Sequence, residues 1–372
     1  MRPDDEGFPC PQINPDACSD CGLCCQVCPV CPDTALPDPV QLMPDRHSPP
    51  KVLAAWHLDD AIRHQSSSGG VFTALAETVL AHGGVVVGAA FDGGMVVRHV
   101  MVEDVASLGR LRGSKYVQSE IGHTLFGDIR CSLERDRPVL FSGTPCQVAG
   151  LRHFLRRPYE SLFCCDLVCH GVPSPLLLRR YAEHNAAIGM PLAKLGFRDK
   201  ATGWKQFSVR QHFPGGRTRL RSIQADPYMA AFLRGYALRE VCYRCVFASH
   251  LRWGDITIGD YWGVQRQYPE YDTDDKGTSL LLVNTVKGSQ WLEETRGALF
   301  LGAADIGSAV LGNPQLSQPS SRPQERNAFY RDLQSTTFRT LARRYRLRKP
   351  LLFERVLRSL RRRICTGLRK LK

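Results

Sequence analysis

Long apolar runs are missing from this 372-residue chain: none approaches the eighteen or so residues that a membrane-spanning helix requires. The first ten residues hold Asp4, Asp5 and Glu6 and no apolar stretch of the kind a secretory leader carries. Residence in the cytoplasm is therefore expected. Neither common nucleotide fingerprint occurs, since no Gly-x-Gly-x-x-Gly follows a strand pattern and there is no Walker A loop. No internal repeat is visible. Net charge is also missing from most of the chain. Fourteen of the 49 Lys and Arg fall in 339–372, with only Glu354 of the 36 acidic residues, which leaves 35 of each sign elsewhere. The basic balance belongs to the tail, and nucleic acid is not an expected partner of the body.

Cysteine is what the chain has in excess, with fifteen. A disulfide framework suits small secreted domains, whereas a chain of this length buries a sufficient core without staples. Metal or redox chemistry is the better account.

Four regions follow from composition. Residues 1–35 are rich in cysteine and proline and poor in aliphatics, and 36–50 read as an extended, proline-stiffened linker. Residues 51–335 form the body, with parts at about 60–140 and 141–310, and 336–372 form a basic tail. Strand and helix patterns alternate in the body. A helix is expected at 71–82, stopped by Gly83-Gly84, with strands at 85–91 and 95–102. Further on come a strand at 139–142, a helix at 146–155, a strand at 162–168 and a helix at 175–187. A hairpin is expected at 207–212 and 218–223, around Pro214-Gly215-Gly216. This alternation argues for an α/β body with a mixed or mostly parallel sheet, preceded by a small ferredoxin-like segment and followed by a basic helix. In the tail Phe353, Val356, Leu357, Leu360, Ile364, Leu368 and Leu371 recur at helical spacing. Such a helix either docks on the body or a partner, or lies peripherally on the inner membrane face.

The strongest motif is Cys18-Ser-Asp-Cys21-Gly22-Leu-Cys24-Cys25-Gln-Val-Cys28-Pro29, the C-x2-C-x2-C-x3-C-P run of bacterial ferredoxins. A tight loop at this spacing aims several thiolates at one [4Fe–4S] cluster. A zinc site is the alternative, although zinc sites usually bring two spaced pairs. In two-cluster ferredoxins the last cysteine serves the other cluster, so the fourth ligand is open here. Cys28 is the default, with Cys10, Cys25, Cys31 or a body cysteine as alternatives.

The body holds a second set. Cys242-x-x-Cys245 is a pair, Cys146 opens a helix after a strand, and Cys169 precedes His170-Gly171 at a strand end. These four could converge into a second cluster pocket or remain separate thiols. A helix N-terminus is expected to favour the Cys146 thiolate. Cys131, Cys164, Cys165 and Cys365 read as packed or incidental.

With these residues in view, the chain resembles the coenzyme F420 hydrogenase/dehydrogenase beta-subunit family over about 7–300. The likeness includes Ser66-Ser67-Ser68-Gly69-Gly70-Val71-Phe72, Arg112-Gly113-Ser114-Lys115-Tyr116, Gly143-Thr144-Pro145-Cys146-Gln147, Cys169-His170-Gly171, Phe197-Arg198-Asp199-Lys200 and Gly254-Asp255 through Gly263. Many relatives carry two ferredoxin-type runs where this chain has one, and the tail lies outside the likeness.

The resemblance implies an oxidoreductase with FAD and one [4Fe–4S] cluster, a second being the open alternative. It also implies hydride exchange with a small organic substrate or coenzyme F420. A ferredoxin or a partner redox subunit would supply or take the electrons. A relay subunit without its own substrate is the competing role. Ser66, Ser67, Ser68, Gly69 and Gly70 would then hold the pyrophosphate at a helix N-terminus, against the simpler reading of Ser68 as a helix cap. Arg112, Ser114 and Lys115 suit a phosphate or acidic substrate, or else a solvated loop. Thr144 and Gln147 could donate to the isoalloxazine ring. Cys146 and His170 are the catalytic candidates, with a structural role for His170 equally open. Asp255 and Asp260 could cap turns or hold cofactor hydroxyls. The expected metal ligands are Cys18, Cys21, Cys24 and Cys28, with Cys146, Cys169, Cys242 and Cys245.

Overall fold

Runs of apolar residues at 85–87 and 139–141 can be buried on both faces only inside a covered sheet. Val85, Val86, Val87, Val139 and Phe141 are accordingly inaccessible. The computed structural model describes residues 1–31, 42–43 and 45–347. Its strands are β1 (Arg2–Pro3), β2 (Pro9–Cys10), β3 (Arg46–His57), β4 (Val85–Phe91), β5 (Val97–Val102), β6 (Val139–Gly143) and β7 (Leu162–Leu167). They continue with β8 (Lys194–Asp199), β9 (Ser208–His212), β10 (Thr218–Ser222), β11 (Ile256–Asp260), β12 (Ser279–Thr285) and β13 (Leu299–Ala303).

The large sheet runs β13-β3-β12-β11-β7-β6-β4-β5. Its centre, β11-β7-β6-β4, is parallel, and the strands outside it pair antiparallel. The expected mixed α/β fold is what forms. Alternation along each strand feeds two cores. Val86, Leu140 and Cys165 face the helix Val71–Ala81, while Val85, Phe141 and Cys164 face the helices Leu125–Leu133 and Pro145–Leu155. A second sheet, β10-β9-β8, packs with Pro175–Ala187, Pro227–Leu233, Arg326–Ser335 and Phe338–Arg344.

Two segments differ from expectation. Residues 46–50 are strand, not linker. Lys51 pairs with Val283 and Arg46 with Thr285, so the intervening residues bulge out of the ladder, where Pro49 and Pro50 forfeit no hydrogen bond. The tail begins as body, with Phe338, Leu341, Ala342 and Leu347 buried in the core. The amphipathic helix expected beyond 350 lies outside the described residues. Among the described residues, no helix is long and apolar enough to cross a membrane.

The N-terminal segment is fastened to the body. Phe8 is fully buried beside Tyr330, and Arg326 donates to both Glu6 oxygens, at 2.6 and 2.5 Å. The short helix Leu23–Val27 lies on Pro145–Leu155, where the Pro29 ring closes on Gly150: a methyl there would stand 3.7 Å from Pro29 Cγ.

Candidate functional site

A parallel sheet offers its strand ends as a binding edge. A cavity of about 850 Å³ opens at that edge, at Ser142 and Gly143 of β6, Leu167 of β7 and Ile258 to Asp260 of β11. Ser66, Ser67, Ser68 and Gly70, with the first residues of the helix Val71–Ala81, form another part of its wall.

Residues 66–70 are tightly built. Ser67 Oγ accepts from Ser114 N at 2.7 Å, Ser68 Oγ donates to Thr278 O at 2.9 Å, and Gly69 N donates to Ser279 Oγ at 2.9 Å. Ser68 is therefore not the cap of the following helix. Gly70 occupies that position in a left-handed conformation and supplies no side-chain acceptor. The first-turn N–H groups of an eleven-residue helix thus begin uncapped at the cavity wall, an arrangement that suits an anion.

The neighbouring loop is braced. Arg112 bonds Thr73 Oγ1 and Gln65 Oε1, each at 3.1 Å. Lys115 directs its ammonium at the carbonyls of Arg110, Leu111 and Arg112, and burial lowers its pKa to about 7. Both line the cavity, as do Thr144 and Gln147. Thr144 and Gln147 are tied into a capping box, in which Thr144 N donates to Gln147 Oε1 at 2.9 Å. Gln147 Nε2 donates onward to Ser119 Oγ at 2.9 Å.

Three segments bring the body cysteines together. Cys146 stands at the start of Pro145–Leu155, Cys169 follows β7, and Cys242 and Cys245 belong to and follow the turn Glu240–Arg244. Gly171 shows how close the approach is. It holds φ +116, its N–H donates to Cys169 Sγ at 3.4 Å, and a Cβ on it would lie 2.8 Å from Leu238 Cδ1 and 3.3 Å from Cys242 Cβ. Burial pushes the Cys169 thiol well up, and Cys242, Cys146 and Cys245 push it further. Burial likewise raises Cys242 to about 12. Cys146 is also raised, because burial outweighs the Thr144 hydroxyl at 3.1 Å and the residue's own backbone N–H. The expected low-pKa thiol is not found.

The ferredoxin-type run contrasts with this. Cys18, Cys21 and Cys24 are exposed and Cys28 is half-buried, with Gly22 turning the loop at φ +68. The Leu23 N–H lowers the Cys21 thiol, while Cys31 and Cys24 raise Cys25 to about 11. Among the described residues, no group of three or more His, Cys, Asp or Glu stands close enough to chelate one metal ion.

His170 lines the cavity with its Nδ1 3.4 Å from both Gln315 Nε2 and Ser320 Oγ, and its Nε2 is buried without a partner. Asp255 is turned away, paired at 3.0 Å with buried Arg152. Asp260 binds Arg198 Nη2 and Trp204 Nε1, both at 2.6 Å.

Several wall residues carried no legible signal. His99 hydrogen bonds Ser142 O at 3.1 Å through Nε2, its Nδ1 has no partner, and burial pulls its pKa to about 4. Arg198 lies 3.8 Å over Phe207, and Trp262 stacks on Trp204. Arg198 and Lys200 stand in one of the segments that carry the family likeness, which marks them without saying what they do.

The mixed sheet and the cavity at its strand ends define an α/β protein with a built binding site, and the family follows from the sequence matches. Residues 52–125 match the N-terminal part of the coenzyme F420 hydrogenase/dehydrogenase beta subunit, and 136–308 match its C terminus. The chain belongs to the coenzyme F420 hydrogenase/dehydrogenase beta-subunit family. A chain of the xenon-derivatised F420-reducing [NiFe] hydrogenase complex from Methanosarcina barkeri is 16% identical, with a TM-score of 0.47, over 78% of this chain and 99% of that one. No curated protein matches.

Proposed function

We propose that this redox subunit binds FAD in the cavity and [4Fe–4S] clusters at two thiol sets, and exchanges hydride with an organic substrate or coenzyme F420. One observation carries the reading. Four cysteines from three distant segments converge beside a cavity whose wall also holds an uncapped helix N-terminus.

The residues fit both groups. The cavity volume lies toward the upper end of the range of about 300–1,000 Å³ for small-molecule and cofactor sites. The quartet supplies four thiols in mutual electrostatic contact, and a cuboidal cluster holds its thiolates farther apart than one tetrahedral ion does. FAD, when bound, supplies the exchange between one-electron and two-electron chemistry that a cluster alone lacks. The free N–H groups at residues 70–72 would hold its pyrophosphate, and Phe207 and Trp262 would keep water from the stretch of wall beside Arg198. Burial keeps His170 neutral near pH 7, so it holds one ring proton beside Cys169.

The N-terminal run completes the path. Its Pro29 meets Gly150, four residues or ~6 Å along the helix from Cys146. Cys18, Cys21, Cys24 and Cys28 would receive or deliver single electrons at the surface, for a ferredoxin or a partner redox subunit. Anaerobic purification with iron, sulfide and flavin quantified per chain tests the reading. Flavin with two clusters' worth of iron is expected, and a preparation lacking both would overturn it.

A further inference from the structure

Three consecutive carbonyls of the 66–70 turn are held by donors from other elements. Ser67 O accepts from Arg198 Nη2 at 3.0 Å, Ser68 O from Lys200 Nζ at 2.7 Å, and Gly69 O from His57 N at 2.7 Å. In a trans peptide the C=O of one residue and the N–H of the next point in opposite directions. Fixing these carbonyls therefore aims the N–H groups of Ser68, Gly69 and Gly70 the other way. Gly69 N is taken by Ser279 Oγ, and the remaining two continue into the uncapped first turn of Val71–Ala81.

Lys200 is the unusual member. Arg198 is neutralised by Asp260 at 2.6 Å, and Arg63 beside it by Asp274 at 2.8 Å. Lys200 has no ion-pair partner among the described residues. Its other two donors end on Arg63 O at 2.5 Å and Lys276 O at 2.6 Å. The buried ammonium is thus a three-way joint between the helix Asp60–Gln65, the 66–70 turn and the loop before β12. A methyl on Gly277 would stand 3.1 Å from its nitrogen, so no other group fits between. Leaving a cation unpaired and out of water is unfavourable, and burial does pull its pKa to about 7. An anion seated across the turn would offset that cost.

We propose that Lys200 is a positioning residue for an anion subsite at 66–72. Its ammonium fixes the middle carbonyl of the three, Ser68 O, outward and places beside the turn a positive charge that no carboxylate among the described residues contacts. Affinity for the pyrophosphate part of a ligand then depends on Lys200, and affinity for the ring part does not. This rests on the flavin reading and says which side chain prepares its phosphate end.

The test compares ligands as well as variants. The full chain, stripped of bound flavin, is titrated with FAD, ADP and riboflavin in wild type, Lys200→Met and Lys200→Arg. Lys200→Met is expected to weaken FAD and ADP by about tenfold or more, because the turn loses both a nearby positive charge and the donor that holds Ser68 O, with riboflavin changed less than about twofold. Lys200→Arg keeps the charge and should fall between. Equal losses for all three ligands would mean a merely structural role and overturn the proposal, as would no loss at all. If Lys200→Met does not fold, the FAD-to-riboflavin affinity ratio of Lys200→Arg decides: a ratio equal to wild type overturns it. Wild type that binds neither FAD nor riboflavin would instead remove the flavin reading and this inference with it.

Discussion

Cys18, Cys21, Cys24 and Cys28 come from eleven consecutive residues and lie at or near the surface, whereas Cys146, Cys169, Cys242 and Cys245 span a hundred residues and are half-buried among the elements of the body. The first set needs only a glycine turn to aim its thiols. The second exists only once β6, β7 and the 240–245 turn have been placed by the sheet and by the core around Leu238. Enclosure has a consequence. The exposed Cys21 thiol is lowered by a backbone N–H, while the thiols of the body are driven up and would be held as thiolates only by the proposed cluster. Loss of metal should therefore strain the body far more than the N-terminal segment.

The largest expected contrast comes from single cysteine changes. Cys169→Ala or Cys242→Ala should remove about half of the iron per chain and lower the thermal midpoint, whereas Cys21→Ala should remove a similar amount of iron with the midpoint nearly unchanged. Parallel iron assays and calorimetry check this. Equal destabilisation by both would break the comparison.

Next in size is the anchor between the two regions. Phe8→Ala removes a fully buried ring from the body core and should cost about 3–5 kcal/mol. Limited proteolysis should then release the N-terminal segment first.

His99 offers a pH test within the body alone. Its pKa in the folded chain, about 4, lies below the unfolded value. The unfolded chain therefore binds the proton first, and stability present above about pH 6.5 is lost as pH falls toward 4. The loss should reach roughly 3 kcal/mol, at 1.36 kcal/mol per pKa unit. His99→Gln should flatten that part of the curve in urea titrations between those pH values.

Smallest is Gly171→Ala, where a Cβ at φ +116 meets Leu238 and Cys242. It should cost about 1–3 kcal/mol and lower body iron while sparing the N-terminal site, as read by denaturation and iron content.

Much of the fold was legible because its signals are local. Val85–Phe91 and Pro175–Ala187 form where apolar runs, glycines and an N-terminal proline say they should. β3 was hidden because Pro49 and Pro50 argue against a strand, and only pairing with β12 shows that they lie in a bulge. Ser68 looked like a helix cap because capping is also a local signal, and its actual partner, Thr278 O, is 210 residues away. The ferredoxin-type run could be read from spacing alone. The roles of Arg198, Lys200 and His99 could not, because each depends on a carbonyl or ring supplied by another strand or loop. The raised pKa of Cys146 belongs with them, since a helix N-terminus is visible in sequence and enclosure is not.

One preparation separates the two regions outright: the full chain with Cys18, Cys21, Cys24 and Cys28 all changed to Ser, purified without oxygen and assayed for iron, sulfide and dithionite-induced EPR. Under the proposed function, one cluster's worth of iron and sulfide remains in the body with a reduced-cluster signal. A folded chain that retains neither would contradict it.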